Sequence, residues 1–324
     1  MKNLSCKNCG APMALDASAM TAHCRFCGTQ YVLDHKDTDY FLDFYRQVND
    51  LISAEDDTKR KDLADRLWDT ADEKVFTTSD GRIVTVYYLY SFSEPECDVY
   101  VARRNIIFHF KKNGALLSDR FRINSSMLDY PSADTKNLSD FFPKVTAGFN
   151  LDDGTDILVV AKDEDEYPLR LFGKLHGRHV AWIISRIENL CCVLEYNGIV
   201  HPQIDPDTVF INPYIHQASL YGNWWNVTKN NTLSSDRTHV NTTAMNLYGL
   251  RNTAAFSLGF NDVSEVTVRE DIPAPFADFL KSAPEVNAYS DFEKWDKTLI
   301  KSFGERRFYK FTGGEDDIYK KGQE

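Results

Sequence analysis

The spacing of apolar residues changes character several times along the chain. Tyr40, Phe41, Phe44, Tyr45, Val48, Leu51 and Ile52 recur at the three-and-four interval of a helix, and after a charged turn Leu63, Leu67 and Trp68 continue it. The two stretches predict a helical hairpin whose aromatic faces pack on the domain that follows. From Gly81 the interval shortens to that of strands, over 83–90, 98–102 and 106–110, separated by the turn-rich segments Glu94-Pro-Glu-Cys and Lys112-Asn-Gly. A short helix is predicted over 135–142, then strands 145–150 and 157–161 around Asp152-Asp-Gly154. Beyond Gly173 the pattern is helical. Val180, Ile183, Ile184, Ile187, Leu190, Cys191 and Leu194 form a stripe broad enough to require a long, nearly buried helix, on which Cys191 and Cys192 read as packing residues. Near the end, Phe276 to Lys281 predicts a short helix, and Ser290-Asp-Phe-Glu293 is a capping box for a last helix stopped by Gly304.

Composition narrows the class. With 324 residues and 43% hydrophobic content the chain can bury a large core, and its length predicts about two domains. A net charge of -11, from 37 Lys and Arg against 48 Asp and Glu, argues against wrapping nucleic acid over a broad surface. The most apolar stretch, 180–200, is broken by Arg186, Glu188 and Glu195, so no membrane span is expected. The polar start after Lys2 does not resemble a signal peptide, and seven cysteines, an odd number, fit a reducing, cytoplasmic setting.

Four of those cysteines fall in two C-x-x-C pairs, Cys6/Cys9 and Cys24/Cys27, each followed by glycine. Such a turn can aim two sulfurs at one point, and two turns supply four soft ligands in a tetrahedron, which suits one structural zinc ion. Thr21-Ala-His-Cys and Gln30-Tyr-Val-Leu read as short strands between and after them, a pattern that resembles a zinc ribbon. A disulfide or redox dithiol and a rubredoxin-like iron site are the rival readings; His23 is not expected to be a ligand. Too short to hold a core, the ribbon should unfold without metal. Lys2, Lys7 and Arg25 against Asp16 are offset by the charge of a Zn(Cys)4 centre, so the ribbon predicts a protein partner rather than phosphate.

A strand-rich segment with one helix, followed by a mostly helical half, is the order of a protein kinase, and several residues carry that resemblance. Phe141-Phe-Pro-Lys-Val145 is similar to the turn before the fourth kinase strand. Gly198-Ile-Val-His201-Pro-Gln203-Ile-Asp205-Pro206-Asp-Thr208 through Asn212 is similar to the catalytic loop, and Asn246-Leu-Tyr-Gly-Leu250 to the start of the αF helix. With the ribbon included, and with Phe303-Gly-Glu-Arg-Arg-Phe308 near the end, the chain resembles the zinc-ribbon, kinase-like (pseudokinase) proteins of bacteria and phages. The resemblance covers residues 80–312. It implies an α+β fold divided as a zinc ribbon (1–36), a helical connector (37–77), a β-rich amino-terminal lobe (78–163), a helical carboxyl-terminal lobe (164–313) and a flexible tail (314–324).

Laid on the family pattern, the catalytic positions are altered. Gln203 stands where the catalytic Asp belongs and cannot take a proton; Asp205 falls at the catalytic-loop lysine and Thr208 at the magnesium-binding Asn. The metal-binding D-F-G has no carboxylate, Asn223 or Leu220 taking the Asp position according to the anchor chosen. Ser91 to Glu96 replaces a glycine-rich loop with bulky Phe92 and rigid Pro95. His109, with Lys111 two residues on, is offered for the strand lysine, and the helix expected to supply its Glu partner has Asp134, Lys136 and Asp140 instead. His201, Asn246 and Leu250 keep structural roles, Trp224 and Trp225 read as core, and a metal site from His201, Asp205 and Asp207 is a rival. No catalytic residue is assigned, ATP and magnesium are not expected, and the resemblance implies an inactive scaffold for another protein. The alternatives are an atypical nucleotide-dependent phosphotransferase using these displaced acids, or a ribbon-mediated nucleic-acid-binding regulator.

Overall fold

Strands β1 (Met13–Asp16), β2 (Thr21–Cys24) and β3 (Gln30–Val32) form an antiparallel sheet in sequence order, with Met13 opposite Cys24 and His23 opposite Gln30. The computed structural model describes the backbone of these strands and residues 57–304, apart from 112, 235 and 236. The thiol groups of Cys6, Cys9, Cys24 and Cys27, the helix expected over 40–52 and the tail 314–324 lie outside the described residues. Residue contacts divide the described residues into two units: the first takes those up to Asp119 together with Val145–Glu164, and the second takes Arg120–Lys144 and 165–304.

In the first unit, helix α1 (Asp57–Trp68) leads into a hairpin of β4 (Asp72–Thr77) and β5 (Ile83–Tyr88). A five-stranded sheet follows, built from β6 (Tyr90–Ser93), β7 (Cys97–Val101), β8 (Asn105–Phe110), β9 (Lys144–Asn150) and β10 (Asp156–Ala161) in the order β6-β7-β8-β10-β9. The stretch 83–90, expected as one strand, is therefore two: Ile83–Tyr88 pairs backwards with β4, and the sheet starts at Tyr90. On one face of the sheet Val99, Ile106, Phe108, Phe110, Leu158 and Val160 are fully buried. On the other, Tyr100, Ile107 and Ile157 pack with Phe76 and Val86 of the hairpin. A strand covered on both faces is apolar at successive positions rather than alternating, which is why Ile106-Ile-Phe reads as a continuous run.

The helix after the third sheet strand is α2 (Gly114–Ser126), thirteen residues over which the apolar pattern predicts no element. The stretch expected as that helix, 135–142, is a 3-10 segment over Ala133–Phe141. The signal for α2 was diluted because Leu116 and Ile123 are exposed while Phe121 and Ser118 are buried, so its apolar residues make no single stripe.

The second unit is organised around α3 (Gly177–Tyr196), the long buried helix expected from the sequence. His176 caps its start, its side chain accepting from Arg178 N, and Gly198 follows its end at φ 58, a left-handed position that glycine occupies without cost. Helices α4 (Ala244–Ser257) and α6 (Ala288–Phe303) pack against it and α5 (Ala274–Lys281) packs on those two, burying Trp182, Trp295 and Phe276. The strands of this unit are short: β11 (Tyr167–Pro168) pairs with β13 (Val209–Asn212), which forms a hairpin with β14 (Gln217–Leu220), while β12 (Ile199–Val200) pairs with β15 (Thr228–Lys229).

Candidate functional site

Between β12 and β13 the chain makes the loop 201–208, and the turn after β14 runs against it. His201 is buried, its Nε2 2.9 Å from the Gly222 carbonyl, while its Nδ1 accepts from Gln203 N at 3.3 Å. These two backbone partners fix the ring as the Nε2–H tautomer, and burial lowers its pKa to about 4, so it is neutral near pH 7. Asn246, at the start of α4, accepts from His201 N at 2.8 Å and donates to Ile199 O at 2.9 Å. The role anticipated for Asn246 is thus occupied, as is that of Leu250, which is fully buried.

The loop is closed by its own polar groups. Asp205 Oδ1 accepts from the backbone N–H of Asp207 (2.9 Å) and Thr208 (3.0 Å), and Oδ2 accepts from Gln203 Nε2 at 2.7 Å. Because a carboxylate only accepts, this contact sets the Gln203 amide, whose Oε1 then receives Asn223 Nδ2 at 2.5 Å. Thr208 accepts from Asp205 N at 3.1 Å and donates to Gln203 O at 2.7 Å. Burial, and then the Asp207 charge, raise the pKa of Asp205, opposed by Gln203 and Arg170. Asp207 itself is gripped by two hydrogen bonds from Arg170, next to β11. The structure thus brings His201, Gln203, Asp205, Thr208 and Asn223 together.

Backbone packing limits what the second half of the site can carry. Tyr221 N donates to Thr208 O at 3.0 Å, and a Cβ on Gly222 would stand 2.6 Å from Thr208 Cγ2. A side chain at 222 therefore requires Thr208 to move. Asn223, in the left-handed region at φ 54, is spent on Gln203, and Leu220 is buried. His201, Asp205 and Asp207 do not form a metal cluster: each already has its hydrogen-bond partners, and no group of three His, Cys, Asp or Glu among the described residues is placed to hold an ion.

His109 and Lys111 are not part of this constellation. They belong to the first unit, on the sheet face covered by the β4–β5 hairpin, where Lys111 pairs with Asp98 at 2.8 Å and the His109 ring meets Phe76 edge-on. The alternate residues of β8, Ile106, Phe108 and Phe110, face the other way and offer no charge to phosphate. The helix that follows β8 is α2, which holds Asp119 and no Glu, and the segment expected to supply the Glu partner, 133–141, is a 3-10 stretch instead.

Two features escaped the sequence reading. Arg170, the partner of Asp207, stands alone in an apolar stretch with no local signal. Glu166 is wholly buried and accepts from Ser219 Oγ (2.6 Å), Gln217 Nε2 (3.1 Å) and Tyr221 OH (2.7 Å). The second was legible, since 217, 219 and 221 are polar at period two, the spacing of one strand face.

No family model matches the chain, and no curated protein matches it. Solved structures do. A Toxoplasma gondii specific rhoptry antigen kinase domain is similar with TM-score 0.52 at 10% identity, over 84% of this chain and 98% of that one. A rhoptry kinase from Toxoplasma gondii is similar with TM-score 0.51 at 10% identity, over 82% and 93%. At such identity the likeness speaks for the fold alone, and the fold is that of a protein kinase domain, α+β and kinase-like.

Proposed function

We propose that the chain is a catalytically inactive kinase-like protein, a binding or regulatory scaffold, whose four-cysteine zinc ribbon and kinase-like body hold a protein partner. The observation that carries this reading is the closed loop: Asp205 and Asp207, the acids nearest the expected chemistry, are both consumed, one by two backbone N–H groups and Gln203, the other by Arg170. Phosphoryl transfer needs a base at the hydroxyl and carboxylates on magnesium. Gln203, hydrogen-bonded to Asp205 and Asn223, supplies neither.

Cys6, Cys9, Cys24 and Cys27 form a donor set that fits one structural zinc ion, and the three-stranded antiparallel sheet with Cys24 at the end of β2 supports a ribbon around them. Zinc there would fix the fold of the ribbon and take no part in a reaction.

The test is phosphate transfer. The purified chain, given labelled ATP and magnesium with and without generic substrate proteins, should transfer no phosphate, and millimolar ATP with magnesium should leave its melting temperature unchanged. Transfer by the purified chain that is lost in Asp205→Asn would instead make the chain an atypical phosphotransferase using this acid.

A further inference from the structure

In the first unit, His109 lies on β8 beneath the β4–β5 hairpin. Its ring meets Phe76 of β4 with centroids 5.1 Å apart at 66°. Nε2 lies 3.0 Å from Thr155 Oγ1, and that hydroxyl also lies 2.5 Å from Asp153 Oδ1. A hydroxyl has one proton to give. The Asp153 carboxyl, held below its ordinary pKa chiefly by this same hydroxyl, is ionised near pH 7 and can only accept. Thr155 therefore donates to Asp153 and accepts from His109. The neutral ring carries its proton on Nε2, and Nδ1 is left as a lone pair.

What Nδ1 faces is a carboxylate. Asp98 Oδ2, on the neighbouring β7, is 4.0 Å away. The other oxygen, Oδ1, is already taken by Ser93 Oγ at 2.5 Å and Lys111 Nζ at 2.8 Å. No hydrogen bond reaches Nδ1 from the described residues. The ring thus holds one proton at Nε2, and a second would have to enter the buried position at Nδ1.

We propose that His109 is an acid-operated latch: the neutral ring, donating to Thr155 and packed on Phe76, holds the β4–β5 hairpin on the sheet, and a second proton at Nδ1 loosens it. The charges that face the ring oppose one another. Asp98 from β7 and Asp153 from the β9–β10 turn favour the proton, whereas Lys74 from β4 and Lys111 beyond β8 resist it. Burial resists it most, and the balance lowers the pKa from 6.5. A histidine lowered on folding stabilises the fold fully above its unfolded pKa, and that stabilisation is lost as pH falls below 6.5 towards the folded value. Opening the hairpin returns the ring to water and removes the penalty, so the open fraction should rise by up to about tenfold per pH unit in that window.

Hydrogen exchange on the intact chain at pH 7.5 and 5.5, corrected for the intrinsic rate, tests this. Amides of β4 and β5 should lose several-fold more protection on acidification than those of the β13–β14 hairpin, and His109→Gln, which still donates to Thr155 but cannot titrate, should remove the difference. In the unmodified chain the His109 resonance should titrate below 6.5, with the Nε2–H tautomer on the basic side. A titration at or above 6.5, or an equal acid loss in His109→Gln, would overturn the latch.

Discussion

Arg251 on α4 is 2% exposed, and its charge is met entirely from within the fold. Both Asp291 oxygens accept from Nη2, at 2.9 and 2.7 Å, Glu188 Oε1 is 3.4 Å from Nη1, and the guanidinium lies over the Phe279 ring at 3.5 Å. Two fully buried carboxylates against one cation would leave an excess of negative charge, and the proton that relieves it goes to Glu188, whose pKa burial and then Asp291 push well above the ordinary value. Removing the cation strands two acids, so Arg251→Met should cost about 3–5 kcal/mol in denaturant unfolding. Glu188 works in the opposite sense. A carboxyl raised on folding loses stability as pH rises from its unfolded value through its folded one, and Glu188→Gln should flatten that decline, measured as melting temperature from pH 5 to 8.

At the scale of elements, α4 is fastened to the loop 201–208 through Asn246, which bonds backbone on either side of Val200. Asn246→Ala leaves the buried His201 N–H and the Ile199 carbonyl without that partner. It should cost about 2–4 kcal/mol, with Asn246→Asp, which keeps only the acceptor, losing less. A melting curve for each variant measures the difference, and equal losses would mean that the acceptor contributes nothing. This strut was legible because Asn246 and His201 both sit in recognisable sequence contexts. The buried helix α3 was legible for a different reason, its stripe being nearly continuous. Where one face or one strand end is exposed, the pattern thinned. The Ile83–Tyr90 stretch runs through a boundary at Leu89 that no turn residue marks, and α2 alternates exposed with buried apolar residues. The loop was found as a set of residues, but not its wiring: hydrogen bonds from Arg170 to Asp207 and from Asn223 to Gln203 join positions 37 and 20 residues apart.

For the whole molecule, the proposed function has two separable parts, a kinase-like body without the expected acids and a zinc ribbon proposed for the four cysteines. They can be tested independently. Elemental analysis of the purified chain should find one zinc per molecule, and Cys9→Ala should lose it while the kinase-like body still melts cooperatively. Iron in place of zinc, or a zinc-free chain whose ribbon remains protease-resistant, would contradict the four-thiolate assignment. A net charge of -11 agrees with a protein partner better than with nucleic acid, which a basic surface would bind in a salt-dependent manner.

The chain of contacts from Asn223 through Gln203 to Asp205 also constrains how the loop can change. Suppose Gln203 became Asp, the residue that phosphoryl transfer would want. The new carboxylate would face Asp205, whose Oδ2 now accepts the Gln203 amide at 2.7 Å, and attraction would turn into repulsion between two buried anions. Asn223 would gain an acceptor, but Asp205 would need a new donor or its own replacement. An aspartate at 203 is therefore separated from this sequence by a loss of stability, relieved if position 205 changes with it.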